Sequence, residues 1–486
     1  MLSEELHMST TKFTPRSTSG WIGILVILLL LTEQTGLATA LFASALPKLG
    51  GHFQTPHIVW VLSMTTLVGS IVTPLAGRLA DLYGKKRILV ALSAIATVGS
   101  IISATASSWE AMLFGRALSG VSMAFLPLGY SLIQDIFPER LRSIAIAAST
   151  NGLGLITVVG PLIAGVMIDT LGVMSIFWPM VLLSLAGMIL MILFVPETTV
   201  RAKGSADWFG AVLLGAGLGG ILYALDMAPS WGWASNKTLI FSAAGLVLIG
   251  AWVAWERVCS APLVDIRVLT NPVVLKLMLA AASAMTVIPG IASIFPLMLM
   301  TPPSLGIGYG LGVNATQVAF HTLLGGTLLV LGGLWVGATS HRIQPAVHIA
   351  IGGICLVAAS VFFACLHSSS WHYVIAYGLM GLGGMILAAC PILIVTVVPA
   401  EFRGVCAALL GATTSVAGTL GTQLTFSIIG TEMVSFSDGF PIYRSAGFTM
   451  AFSILAIIAL IAIVVGVSLG KSHGVERTLS SASPVP

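Results

Sequence analysis

The chain has 486 residues, of which 57% are hydrophobic and only 8% charged. Soluble domains carry about 25% charged residues, so this composition excludes a water-soluble globular protein and indicates an integral membrane protein. The net charge of +4 comes without a basic patch interleaved with aromatic residues, which excludes nucleic acid as a partner.

In chain order, fourteen apolar segments are predicted to be helices, each about 20 residues long and therefore able to cross a bilayer core of roughly 30 Å. Their expected limits are 21–43, 58–76, 88–107, 110–133, 143–168, 175–195, 208–227, 238–255, 273–300, 315–336, 347–366, 372–397, 404–430 and 446–469. The predicted fold is an all-α integral membrane protein with 14 transmembrane helices. The first segment imitates a secretory signal, but its apolar run continues too far for a cleaved one.

The basic residues predict the orientation of the chain. Of the 21 Lys and Arg residues, only Lys48, Lys237 and Arg444 fall in the loops on one side, and Arg116 lies within a span. Because loops rich in Lys and Arg stay in the cytoplasm, we expect a multi-pass protein of the plasma membrane with both termini cytoplasmic.

Weak internal similarity predicts two halves. The segment LIQDIFPERLRSIAIA from Leu132 parallels LIVTVVPAEFRGVCAA from Leu393, and at the same offset Gly120 matches Gly381. Two halves repeated in the same membrane orientation are a known transporter plan. The repeat leaves spans 7 and 8 without counterparts. The expected units are a tail (1–20), a six-helix bundle (21–196), a linker with two inserted spans (197–271), a second six-helix bundle (272–469) and a tail (470–486).

One charged stretch interrupts this apolar chain, GRLADLYGKKR at residues 77–87. It resembles the cytoplasmic loop signature of the major facilitator superfamily, whose positions fall here on Gly77, Asp81, Gly84, Lys85 and Arg87. Gly84 permits a tight turn with positive φ, Gly77 permits close helix approach, and Asp81 can cap a helix or pair with a cation. We expect a latch on the cytoplasmic side in the outward-open state; the alternative is an anchor that only sets the orientation.

A second stretch, GPLIAG at residues 160–165, resembles the span 5 motif of the fourteen-span drug:proton antiporter branch of that superfamily, through Gly160, Pro161 and Gly165. The alternative is an ordinary membrane helix with Gly and Pro. The resemblance implies a secondary active transporter that exports amphipathic or cationic small molecules by rocking of its bundles. The proton gradient would supply the energy, without a cofactor.

Two charges lie clearly within the predicted spans and away from their ends, Glu33 and Arg116, and such residues are functional candidates by default. Arg116 matches the span 4 arginine of the antiporter signature, and we expect Glu33 to carry the coupled proton. Here the chain departs from the family, because Ala38 occupies the position at which members of the family usually have an acidic residue in span 1. The alternative is a structural Glu33 hydrogen-bonded with Gln34 or Arg116.

Polar residues within the spans are candidates for the substrate cavity: Gln34, Gln317, His321 and Gln423. A satisfied structural histidine is the alternative for His321, and Asp226 is expected to face solvent. The chain has no P-loop, metal-ligand or nucleophile pattern, so we expect no enzyme activity, metal or cofactor. Alternative functions are an exporter of one native metabolite and, in a different class, a non-transporting receptor or scaffold. The expected partners are the lipid bilayer, protons and a small molecule, and a monomer suffices.

Overall fold

The computed structural model describes residues 18–198, 206–259, 262–263, 271–366, 369–398, 403–437 and 440–481. Nearly all of them are helical. The helices are α1 (Thr18–Thr32), α2 (Gln34–Phe53), α3 (Trp60–Tyr83), α4 (Lys85–Ala104), α5 (Trp109–Ser119), α6 (Phe125–Ile136), α7 (Glu139–Leu171), α8 (Trp178–Phe194), α9 (Trp208–Trp231), α10 (Asn236–Val258), α11 (Pro272–Met300), α12 (Ala315–Thr339), α13 (Pro345–Cys365), α14 (Ser370–Gly383), α15 (Met385–Val397), α16 (Arg403–Gly430) and α17 (Ser445–Ser481). A short antiparallel hairpin, β1 (Met433–Ser437) and β2 (Phe440–Tyr443), joins α16 to α17.

Each predicted span coincides with one helix or with consecutive helical segments. Within the described ranges, thirteen segments are long and apolar enough to cross a membrane. The predicted span that is not among them is α16, which is rich in Gly, Thr and Ser and packs against α3, α9, α11 and α17. The all-helical membrane fold is therefore confirmed, and the count of fourteen crossings stays a prediction.

The contacts made by glycines repeat between the two halves of the chain. A Cβ on Gly120 would lie 2.8 Å from a backbone oxygen of α3, and one on Gly381 would overlap the backbone of α12. Likewise, a Cβ on Gly160 would lie 2.7 Å from Ala40 in α2, and one on Gly421 would overlap the backbone of α11. The same pairs of spans thus pack closely in both halves, as the sequence repeat predicts.

The two halves meet mainly through α7 with α12, α2 with α11, and α3 with α16. We call the end of the molecule with the α2–α3 connection and the β-hairpin the closed face, because α7 and α12 touch there. At the opposite end, which carries the α3–α4 turn, a Cβ on Gly77, Gly337 or Gly411 would meet nothing within 4 Å. We call this end the open face, after the space beside these three glycines.

Candidate transport site

The charged stretch 77–87 is mostly helical, and the prediction that it forms a loop is wrong. Residues 77–83 complete α3, and α4 begins at Lys85, so Gly84 alone makes the turn. Its φ of +113° is the positive value expected there. The helix does not unwind because long charged side chains at its end reach water without leaving helical geometry.

Lys85 of this stretch is buried and structural. Its Nζ donates to Asp135 Oδ2 at 2.6 Å and to the Ser131 carbonyl at 3.4 Å, which ties α4 to α6. Arg87 is exposed, and its Nε lies 3.6 Å from Glu197 Oε2. Two signature cations therefore have different tasks: one fixes the first bundle internally, and the other forms a weak surface pair.

The two residues expected to act between helices are disengaged in this conformation. Asp81 is exposed and accepts no hydrogen bond from any described residue. Gly77 has no neighbour within 4 Å of its Cβ position, so the expected close helix approach is absent here. Both lie on the open face, where a latch would be broken, and their role as a latch stays a prediction.

Arg116 is 2% exposed and lies in the first bundle. Its Nε donates to the Val61 carbonyl at 2.9 Å, and its guanidinium carbon lies 3.9 Å from the centre of the Phe42 ring. Ala38 and Arg116 both line a cavity of about 30 Å³, room for one or two waters. Within the described chain, a carbonyl and a ring face thus stabilise this cation.

Glu33 lies at the junction of α1 and α2 and faces α7. A Cβ on Gly152 would be 2.7 Å from the carboxyl carbon of Glu33. Both carboxyl oxygens are buried and accept no hydrogen bond from a described residue. Gln34 points elsewhere, with its Nε2 2.7 Å from Ser184 Oγ, and Arg116 binds Val61. The alternative of a Glu33 satisfied by Gln34 or Arg116 is therefore wrong.

The GPLIAG motif lies on the seam between the halves. Pro161 is within the uninterrupted helix α7, and a Cβ on Gly165 would be 2.6 Å from Thr316 Cα at the start of α12. One turn later, Asp169 accepts hydrogen bonds from Thr316 N at 2.9 Å, from Thr316 Oγ1 at 2.7 Å and from Lys48 Nζ at 2.9 Å. The small residue thus permits the close approach that this clamp requires.

Two of the four cavity candidates are structural residues near the start of α12. Gln317 and Asn314 form a capping box. The His321 ring nitrogens lie 2.7 Å from the Gln317 carbonyl and 2.6 Å from Ser370 Oγ. His321 therefore matches the alternative of a satisfied histidine that holds α12 against α14.

Gln423, by contrast, is fully buried between the halves. It accepts from Ser63 Oγ at 2.8 Å and donates to Asp226 Oδ1 at 3.1 Å. The expectation that Asp226 faces solvent is wrong, because its side chain is only 7% exposed and pairs with His57 at 2.8 Å. Its partners come from distant parts of the chain, so no local sequence signal could have predicted them.

A cavity of about 420 Å³ lies between α11, α15 and α16, toward the open face. Its lining is almost wholly apolar and includes Met285, Leu387, Cys390, Pro391, Ile394 and Thr414. None of the four polar candidates lines it. These residues were not predicted from the sequence, because apolar side chains that line a cavity and apolar side chains that face lipid cannot be distinguished by residue type.

The geometry described so far is that of two like bundles that pack against each other through α7 and α12, α2 and α11, and α3 and α16. A family model described as Major Facilitator Superfamily matches residues 28–422. The chain belongs to this superfamily. It is a secondary transporter and not an enzyme.

Curated relatives of this facilitator include three at about one quarter identity. A probable actinorhodin transporter of Streptomyces coelicolor is 25% identical, with 80% of this chain and 69% of the relative covered. The multidrug resistance protein Stp of Mycobacterium tuberculosis is 25% identical, with 80% and 72% covered. The tetracenomycin C resistance and export protein of Streptomyces glaucescens is 26% identical, with 80% and 71% covered.

Solved structures of similar shape include a peptide transporter POT in complex with sulfate, with a TM-score of 0.65, 15% identity and coverage of 93% of this chain and 95% of that one. The human organic anion transporter MFSD10 gives a TM-score of 0.56 at 14% identity, with 93% and 100% covered. At these identities the similarity shows the fold alone.

Proposed function

We propose that this facilitator exports amphipathic small molecules in exchange for protons, with Glu33 as the residue that carries the proton. The observation on which the proposal rests is the buried Glu33 carboxyl, whose oxygens accept no hydrogen bond from a described residue. An ionised carboxylate inside a membrane costs at least about 2.5 kcal/mol without a partner. A proton removes that cost, so exchange of protons at Glu33 can be coupled to a conformational change. The proton gradient is the energy source, and no cofactor takes part.

The cavity of about 420 Å³ supports the amphipathic substrate class. Among the described residues, its wall offers dispersion contacts and one hydroxyl, from Thr414, and no carboxylate. A substrate therefore gains affinity through apolar surface, and a positive charge is not required for binding in this cavity. Met285 adapts to ligands of different shape because its side chain is unbranched and polarisable.

The relatives support export as the direction, since the names of three of them refer to multidrug resistance or to antibiotic transport and export. Two of these names refer to a single natural product, actinorhodin or tetracenomycin C. Export of one native metabolite is therefore the second candidate function. The two candidates differ in the number of compounds accepted, which a panel of substrates distinguishes.

The proposed cycle is alternating access about the seam of α7 and α12. The open face, which carries the basic α3–α4 turn, is the cytoplasmic side by the distribution of Lys and Arg. Substrate enters there and reaches the cavity between α11, α15 and α16. In the opposite state Gly165 and Thr316 separate, the open face closes, and Asp81 gains the partner that it lacks here.

The test is uptake into inverted vesicles with and without an imposed pH gradient, for a panel that contains ethidium, an uncharged lipophilic dye, actinorhodin and tetracenomycin C. We expect uptake of at least one compound to depend on the gradient in the native protein and to lose that dependence in Glu33→Gln. Uptake driven by the gradient at the native rate in Glu33→Gln would contradict coupling through this residue. Uptake of one compound alone would favour the metabolite exporter.

A further inference from the structure

A second polar cluster lies at the closed face, away from Glu33 and from the apolar cavity. His57 belongs to the α2–α3 connection, Ser63 to α3, Asp226 to α9 and Gln423 to α16. His57 Nδ1 is 2.8 Å from Asp226 Oδ2, Gln423 Nε2 donates to Asp226 Oδ1 at 3.1 Å, and Ser63 Oγ donates to Gln423 Oε1 at 2.8 Å. We call these four residues the Asp226 clasp. One carboxylate on an inserted helix thereby joins the two bundles.

The neighbouring contacts fix α9 against the second bundle at the same level. Ser427 Oγ of α16 donates to the Leu225 carbonyl of α9, and a Cβ on Gly430 would lie 3.1 Å from the ring of Pro229. Rocking of α3 relative to α16 therefore has to stretch or break the clasp. The inserted helix is packed where it can resist that movement.

The clasp has access to water on one side. The Asp226 side chain is 7% exposed, whereas that of His57 is 35% exposed, and Gln423 is fully buried. His57 and Asp226 line a cavity of about 190 Å³ at the closed face. Protons from the water on that face therefore reach His57 while the carboxylate stays shielded.

We propose that Asp226 is a positioning residue of the transport cycle, which holds the closed face shut by bridging His57 and Gln423, and that protonation of His57 from that face tightens the bridge. The inserted helix pair thus takes part in gating. The inference rests on alternating access, which the proposed function also assumes, and is independent of coupling through Glu33.

The sign of the pH effect follows from the charges around His57. The hydrogen bond to Asp226 raises the pKa of His57 above its ordinary value, and burial partly offsets this. Among the described residues lining the cavity, the other titratable group is Tyr443 of the hairpin, whose pKa burial raises further from neutrality. α16 contributes an amide and a hydroxyl, from Gln423 and Ser427.

Opening of the face separates His57 from Asp226, so the pKa of His57 returns toward its ordinary value. The closed state then binds the proton more tightly than the open state. The stability that this proton gives to the closed state is fully present below the pKa that His57 has in the open state. It is lost as the pH rises through the higher pKa that His57 has in the closed state. Acid therefore closes this face and alkali loosens it.

The test is the distance between spin labels on His52→Cys in the first bundle and Ser304→Cys in the second, both on the closed face, in full-length protein in vesicles. The background has the five native cysteines replaced by alanine. Without substrate, we expect the population with the longer distance to rise several-fold between about pH 5 and about pH 8, the range in which histidine titrates. In Asp226→Asn and in His57→Gln, this dependence should vanish.

Asp226→Glu restores a carboxylate and should recover the pH dependence. Glu432→Gln is the matched control, because it removes another acid of the closed face, paired with Arg444 at 3.8 Å, outside the clasp. The control should behave as the native chain. The proposal is overturned if Asp226→Asn keeps the native pH dependence, or if the native chain has none. Because no transport is measured, loss of the proposed antiport would leave this result unchanged.

Discussion

Glu33 and Arg116 of the first bundle have opposite signs and separate surroundings. Arg116 is satisfied by the Val61 carbonyl and the Phe42 ring, while the Glu33 carboxyl has no charged partner among the described residues and lies beside the Thr32 hydroxyl. Since an arginine does not lose its proton in proteins, Arg116 supplies a fixed charge. Of this pair, only Glu33 can exchange a proton.

The place of the Glu33 carboxyl depends on one glycine of α7. A Cβ at Gly152 would lie 2.7 Å from the carboxyl carbon, so Gly152→Ala must displace this group. We expect transport driven by a pH gradient to fall about tenfold or more, which corresponds to about 1.4 kcal/mol in the barrier. The measurement is the initial rate of dye uptake into inverted vesicles.

Gly154→Ala is the control for this substitution, because on the same helix its Cβ would meet only Val330 at an ordinary 3.4 Å. It should transport at nearly the native rate. If both variants lost transport equally, the effect would come from α7 in general and not from Glu33. If Gly152→Ala transported at the native rate, the packing of Glu33 against α7 would play no part in the mechanism.

At the scale of helices, the sequence predicted where the spans lie better than where they end. The predicted second span stops at residue 76, whereas α3 runs to Tyr83, because hydropathy ends where Arg78 begins and helical geometry does not. The β-hairpin after α16 was missed, since its strands of five and four residues are far shorter than a membrane span. Glu33 and Arg116 stood out as charges in apolar runs. Gln423 was a candidate from the sequence, but its link to Asp226 was not predicted, because the residues of the Asp226 clasp come from distant parts of the chain.

The seam of α7 and α12 gives the next prediction. A Cβ on Gly165 would lie 2.6 Å from Thr316 Cα and 2.8 Å from a backbone oxygen, and backbone cannot move aside as a flexible side chain does. Gly165→Ala should therefore push α12 away from α7 and weaken the bonds from Thr316 to Asp169. We expect a larger population of the state in which the bundles have moved apart at the closed face. Transport should also be slower.

The measurement is the same pair of spin labels, on His52→Cys and Ser304→Cys, at one fixed pH. The population with the longer distance should rise in Gly165→Ala and stay native in Gly154→Ala. An unchanged distance distribution in Gly165→Ala, in protein that remains monodisperse, would show that the seam tolerates a methyl group. The packing of α7 against α12 would then not explain why residue 165 is a glycine.

For the whole molecule, the deciding element is α16. It is not among the thirteen segments found in the described ranges, yet it runs beside α11, with Gly421 on Thr286 and Gly290 near Thr425. α16 therefore covers the same depth as α11, an apolar helix of 29 residues. Its Gly, Thr and Ser residues are tolerated because α3, α9, α11 and α17 pack around it.

If α16 crosses the membrane, the number of crossings is even and both termini lie on the open face. We expect epitope tags before Met1 and after Pro486 to be cleaved by protease in inverted vesicles and protected in right-side-out ones. A tag inserted between Ser304 and Leu305, both exposed on the closed face, should give the reverse pattern and serves as the control. Terminal tags that differ from each other would mean an odd number of crossings. The Asp226 clasp, which needs α16 to reach the closed face from the open one, would then lose its geometry as well.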